Sequence, residues 1–239
     1  MKTKEVYTVS DLHLFCRRSE AHRHMRDIHG AAAKADIFVL NGDTFDFRWS
    51  CHGSTVETAR KAIAWLEKLT ARAPDCFFHF VLGNHDHVGV FIDELHELAE
   101  RTHNLAWHPY YVKVGDTLFL HGDVANRRMT AADLERYRET WLHEESRGEL
   151  VNTIYDVAFR AGVHQALTKF AFPTSVVVER IRHYLDDIGE GAGSDTDVVF
   201  FGHTHTAVDN YEFGGQRFFN SGAPMRGLNF NILGARICA

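Results

Sequence analysis

Apolar runs alternate with helix-period segments through the first hundred residues. Residues 6–11 (VYTVSD), 36–43 (DIFVLNGD) and 76–86 (CFFHFVLGNHD) are β-rich runs, each ending in a polar cluster. Between and after them, 19–35, 54–73 and 89–101 space their apolar residues at the 3.6 period of a helix. Ser19 is the expected N-cap of the first, and Pro74 follows the second. Residues 110–123 (YYVKVGDTLFLHGD) predict a hairpin turning at Gly115-Asp116, its second strand ending at His121. Residues 197–205 (DVVFFGHTH) repeat the plan of an apolar strand stopped by histidines. A hairpin turning at Gly214-Gly215 and a last strand within 228–237 complete the pattern.

The stretch from about 124 to 193 differs, having no strand signal before DVVFF. It holds three helical stretches: one after a Thr130 cap, one over 152–172, and one after Pro173. It reads as a helical insertion in a single domain spanning 1–239, and the alternation elsewhere predicts a layered α/β fold. In such folds ligands gather at the carboxyl ends of strands. Those ends carry Asp11 and His13; Asp43 and Asp46; Asn84, His85 and Asp86; His121; and His203 and His205. Positions i and i+2 of an extended segment share a face. His203 and His205 can therefore converge on one object, whether metal or substrate.

Composition narrows the classes. Net charge is −6 with histidine neutral, which argues against a general electrostatic grip on nucleic acid. The 4 cysteines are scattered without C-x-x-C spacing and read as free thiols of a reducing compartment. No apolar run approaches the ~20 residues of a membrane span. No signal peptide is visible at the start, so the expected location is cytoplasmic, with room for peripheral contact at the inner membrane face. The donor set at the strand ends is oxygen and imidazole, without thiolate. That suits Mn²⁺ first, and Fe or Zn²⁺ next. It is too rich for one ion, and a pair of ions needs a bridging carboxylate.

The blocks D-x-H (11–13), G-D-x-x-D (42–46), G-N-H-D (83–86), H (121) and G-H-x-H (202–205) stand in order, each after an apolar run. In this the chain resembles the calcineurin-like metallophosphoesterases over roughly 5–123 and 197–237. The resemblance implies a β-sandwich flanked by helices, in four α/β/β/α layers. It implies that Asp11, His13 and His205 hold one divalent metal, that Asn84, His121 and His203 hold the other, and that Asp43 bridges them. His85 would face the substrate and assist the leaving oxygen, Asp46 would orient His85, and Asp86 would support that loop. A metal-bound hydroxide would attack phosphorus in line, with no covalent enzyme intermediate.

Within that superfamily, SDLHL (10–14), GDTFDFRW (42–49), LHGD (120–123), and Asp133 and Tyr137 beyond it are similar to the UDP-2,3-diacylglucosamine hydrolases of lipid A synthesis. Those enzymes cleave a pyrophosphate beneath a helical cap. The chain departs from them at His85, where that group commonly carries Arg. Val163, Leu167, Phe170, Phe172, Val176 and Val177 either line an acyl groove or pack the helices of the insertion together. Arg17, Arg18, Arg127, Arg128 and Arg226, together with Tyr137, are candidate contacts for substrate phosphate. The leading substrate is a lipid-linked nucleotide. The alternatives are a cyclic nucleotide or dinucleotide, and a non-catalytic metal-binding scaffold for a protein partner.

Overall fold

The computed structural model describes residues 2–143 and 173–238. Its strands are β1 (Thr3–Val9), β2 (Ile37–Asn41), β3 (Phe77–Val81), β4 (Leu105–His108), β5 (Tyr111–Val114), β6 (Thr117–Leu120), β7 (Val198–Phe201), β8 (Val208–Phe213), β9 (Gln216–Asn220) and β10 (Leu233–Cys238). Its described helices are α1 (Met25–Ala32), α2 (Thr55–Arg72), α3 (Gly89–Arg101), α4 (Ala131–Glu139) and α5 (Thr174–Asp187).

The strands form two five-stranded mixed sheets, ordered β10-β1-β2-β3-β4 and β5-β6-β7-β9-β8. β1 through β4 run parallel, as do β6, β7 and β9. Alternation along the strands sorts side chains between layers. Phe38, Leu40, Phe78 and Phe80 face α1, α2 and α3 in one core. Val39, Val81, Phe119, Val198 and Phe200 fill the space between the sheets. Leu118, Leu120, Val199, Phe201 and Phe218 form the outer face of the second sheet with Val177, Val178, Ile181 and Leu185 of α5. These three cores separate the four layers of the α/β/β/α sandwich that the resemblance implies.

Three local expectations change. The segment 19–35 is not one helix: a 3-10 turn over Ala21–Arg23 precedes α1. Ser19 is not its cap, because its hydroxyl donates to Leu12 O (2.6 Å) and accepts from Ala21 N–H (3.2 Å). The short edge strand β4 lies where the sequence pattern assigned nothing, since only Leu105 of its four residues is buried. The last strand begins at Leu233 rather than Leu228. The Thr130 cap matches, in a reciprocal capping box with Asp133 at α4, and Ser54, not singled out in the sequence, caps α2. Within 124–193, the stretch 144–172, with Val163, Leu167, Phe170 and Phe172, lies outside the described residues. Among the described residues no helix is long and apolar enough to cross a membrane.

Candidate metal centre

The parallel strands of both sheets end on the same side of the sandwich, and their end residues meet there. β1 delivers Asp11 and His13, β2 delivers Asp43, β6 delivers His121, and β7 delivers His203 and His205. The backbone turns sharply to do this. Asp11, His13, Asp43, His203 and His205 have φ of 54, 44, 50, 68 and 56°. Left-handed backbone costs a non-glycine residue on the order of 1 kcal/mol or more. Five such residues in one cluster mark a place where side-chain direction outweighs local comfort. Gly42 (φ 84°) lets the chain pass under the His121 ring, where a Cβ would sit 2.4 Å from Nδ1.

Two groups of donors result. In one, His13 Nε2 lies 3.0 Å from His205 Nε2 and 4.0 Å from Asp11 Oδ1, and His205 Nε2 lies 3.5 Å from the same oxygen. In the other, His121 Nε2 lies 3.3 Å from His203 Nδ1 and 3.3 Å from Asp43 Oδ2. That Asp43 oxygen is also 3.6 Å from His13 Nε2, so it stands between the groups. Asn84 sits in the β3–α3 turn beside them, and its Oδ1 is buried without a hydrogen-bond partner among the described residues. The neighbouring His85 N–H donates to Asp43 Oδ1 at 2.8 Å.

Hydrogen bonds fix which ring nitrogens face inward. A carboxylate only accepts, so His13 Nδ1–H donates to Asp46 Oδ2 (3.2 Å) and leaves the Nε2 lone pair toward His205. His203 Nε2–H donates to the Asn126 side-chain oxygen (2.8 Å), which leaves its Nδ1 lone pair toward His121. Imidazole nitrogens 3.0 and 3.3 Å apart are close enough for each pair to reach one cation.

The electrostatics agree. Burial disfavours the imidazolium of His203 and brings its pKa to about 3; burial holds His205 well below the ordinary value too. Both keep lone pairs to offer. Burial raises Asp11 to about 6. Asp43 is buried as well, yet His121 and His85 hold it well below the carboxylate range. Burial works against charge on His121, but Asp43 and Asp11 draw it up to about 9. The carboxylates pull positive charge into the pocket, and the donor set fits hard or borderline divalent cations.

His85 belongs to a third group. Its Nδ1–H donates to Asp46 Oδ1 at 3.0 Å, and its side chain keeps 19% exposure where His121 has none. Burial opposes its charge, but Asp46 and Asp43 bring its pKa to about 9. Asp46 thus serves both His13 and His85, and accepts from Trp49 N–H as well (2.9 Å). Asp86 does not cap α3. It accepts from Thr44 N–H (2.9 Å) and Gly83 N–H (2.5 Å), binding the two loops together.

A family model for calcineurin-like phosphoesterases matches residues 5–207. The chain belongs to that family. It is a metal-dependent hydrolase of phosphoester bonds, and family membership implies a small-molecule phosphoester substrate. No curated protein matches the chain. Among solved structures, a dimetal phosphatase from Danio rerio is similar with a TM-score of 0.41 at 10% identity, over 92% of this chain and 88% of that one.

The substrate candidates fare unequally. Arg18 is buried, its guanidinium 4.9 Å above the Trp49 ring. Arg17, Arg127, Arg128 and Arg226 are exposed on loops. The Tyr137 hydroxyl accepts from Asn126 Nδ2 (3.5 Å), so it backs the residue that orients His203. Asp133 is committed to the cap of α4 and to Arg136. Val177 packs on the second sheet. Sequence reasoning missed Asn126, Trp141 and Arg48. Trp141 is buried with its ring 5.2 Å from that of His85, and the Arg48 guanidinium lies over the Trp141 ring, 5.2 Å from its centroid. The RW after GDTFDF was the signal available for Arg48 and Trp49; Asn126 carried none.

Proposed function

We propose that the chain is a dinuclear hydrolase of phosphodiester or phosphoanhydride bonds. In this reading Asp11, His13 and His205 hold one divalent cation, Asn84, His121 and His203 hold a second, and Asp43 bridges them. The observation that carries it is Asp43 Oδ2, 3.6 Å from His13 Nε2 and 3.3 Å from His121 Nε2, one oxygen within reach of both groups. When bound, the cations supply Lewis acidity: they neutralise phosphoryl oxygens and make water acidic enough to act as a nucleophile near neutral pH.

The chain's own groups do the rest. Asp46 fixes the His13 ring with Nε2 inward and the His85 ring with Nε2 outward. His85, held through Nδ1 by Asp46, offers a proton at Nε2 to the departing oxygen. Trp141 lies against the His85 ring and limits water on that side. Mn²⁺ is the first choice of metal, with Fe or Zn²⁺ next.

For the substrate, the motifs that resemble those of UDP-2,3-diacylglucosamine hydrolases support a lipid-linked nucleotide, with 124–193 read as one insertion in the domain. A second reading, a cyclic nucleotide or dinucleotide, is favoured by His85 standing in place of Arg and by Val177 serving packing rather than a groove. The deciding experiment incubates the protein with Mn²⁺ and UDP-2,3-diacylglucosamine, beside a generic aryl phosphodiester and an Asp43→Ala control, with products read by mass spectrometry. Release of UMP and the lipid monophosphate far faster than the generic ester supports the lipid substrate. Cleavage of the generic ester alone rejects it and keeps the hydrolase; equal turnover by Asp43→Ala rejects the dinuclear site.

A further inference from the structure

Arg138 lies on the face of α4 that also buries Leu134, and it is 1% exposed. An arginine has five N–H donors in a fixed plane. All five find acceptors here. Nε donates to Asp123 Oδ2 (2.5 Å), and Nη2 to Asp123 Oδ1 (3.2 Å) and Leu82 O (2.9 Å). Nη1 donates to Gly83 O (2.7 Å) and His87 Nδ1 (3.3 Å). These acceptors belong to two loops. Leu82, Gly83 and His87 surround Asn84 and His85 at the end of β3, in the first sheet. Asp123 follows His121 by two positions, at the end of β6 in the second sheet.

A buried ion pair is weak ground for stability, because desolvation offsets its attraction. What this one supplies is fixed geometry between two loops from different sheets. We propose that Arg138 is a positioning residue for the second cation pocket: its planar fork sets the separation of Asn84 and His121. The inference rests on the reading above, in which those two residues and His203 share that cation. The first pocket, built from Asp11, His13 and His205, has no bond to Arg138 among those the structure gives. Lysine cannot substitute, having three donors and no plane.

The test titrates metal-free protein with Mn²⁺ by calorimetry, for wild type and Arg138→Lys, with thermal midpoints in parallel. Wild type should bind two ions. Fewer than two would reject the dinuclear reading itself, independently of Arg138. In Arg138→Lys the first ion should bind within ~3-fold of wild type, and the second should weaken by about ten-fold or more, the usual consequence of losing an outer-shell partner. Turnover of an aryl phosphodiester should then recover with excess Mn²⁺, its kcat near wild type. Arg182→Lys is the control, since its guanidinium meets Asp186 and Gly214 O away from the centre; it should leave both affinities unchanged. Unchanged affinity for the second ion in Arg138→Lys, or an equal loss at both, overturns the proposal. Should the lysine variant not fold, Asp123→Asn keeps the shape and reads the same difference. Failure of both variants to fold assigns Arg138 to the fold alone, which also overturns it.

Discussion

Replacing Gly83 by alanine sets one methyl group against the carboxylate that stands between the two donor groups. A Cβ there would lie 2.1 Å from Asp43 Oδ1 and 2.3 Å from Asp43 N. Non-bonded contacts settle near ~3.5 Å, so the turn and the carboxylate must part by more than about 1 Å. Neither can yield cheaply: one contact is backbone, and Asp43 is 2% exposed. Separation breaks the 2.8 Å bond from His85 N–H to Asp43 Oδ1. A hydrogen bond to a charged group contributes about 1.5–3 kcal/mol, and overpacking costs about 1–3 kcal/mol. We expect Gly83→Ala to destabilise by roughly 2–4 kcal/mol, and kcat on an aryl phosphodiester to fall on the order of 10²-fold, the usual result of a 1 Å misplacement. Urea denaturation and steady-state kinetics measure both. Gly30 in α1 is the control. Its Cβ would meet nothing within 4 Å, so Gly30→Ala should stabilise by about 0.5–1 kcal/mol and leave turnover alone. Wild-type stability and rate in Gly83→Ala would refute the claim that this turn is pressed onto Asp43.

Asp43→Ala should lose both metals and nearly all turnover; a metal assay showing two bound ions, or a near-normal rate, would sink the bridging role. His85→Ala should keep its metal content and slow hydrolysis by ~10²-fold or more, and loss of metal in it would reveal a ligand instead. His79 offers a test away from the centre. Burial, then the neighbouring His108 at 2.9 Å, lowers its pKa to about 4, so the folded state refuses a proton that the unfolded chain accepts near 6.5. Its contribution is present above pH 6.5 and is lost as pH falls from there toward 4. Discounted for partial exposure, about 1 kcal/mol should disappear between pH 7 and 5. His79→Phe should flatten that part of the pH dependence of the urea midpoint; the same slope in variant and wild type would reject the assignment.

How far the site could be read from sequence depended on where each residue gets its position. Asp11, Asp43, His121 and His203 were legible because each follows a parallel strand directly, and parallel strands deliver their carboxyl ends to one rim. The glycines before them were informative for a steric reason. Gly42 passes under the His121 ring, Gly83 presses on Asp43, and a Cβ on Gly202 would lie 2.4 Å from Asp11 Oδ2. The pairs Gly-Asp, Gly-Asn and Gly-His therefore record contact between blocks far apart in sequence. Periodicity was equally good for α2 and α5, whose apolar faces are continuous. It failed at 19–35, where Ser19 bonds back to Leu12 and the chain cannot begin a helix there.

The residues that escaped notice reach the site through a partner rather than from a strand end. Asn126 orients His203 from a 3-10 turn, and Arg138 reaches two loops from a helix that carries no strand-end signal. Asp46 was visible, but only half its work was. It was expected behind His85, yet its second oxygen holds the His13 ring. One carboxylate therefore sets the tautomer of an imidazole in the first donor group and, with Asp43, raises the pKa of His85. This sharing separates two substitutions that otherwise look alike. Removing the His85 ring leaves Asp46 on His13. Removing Asp46 frees both rings together, so His13 can place its proton on Nε2, the atom that faces His205, Asp11 and Asp43. The His13 and His85 rings are thus mechanically joined at one side chain, and only the three-dimensional arrangement exposes the joint.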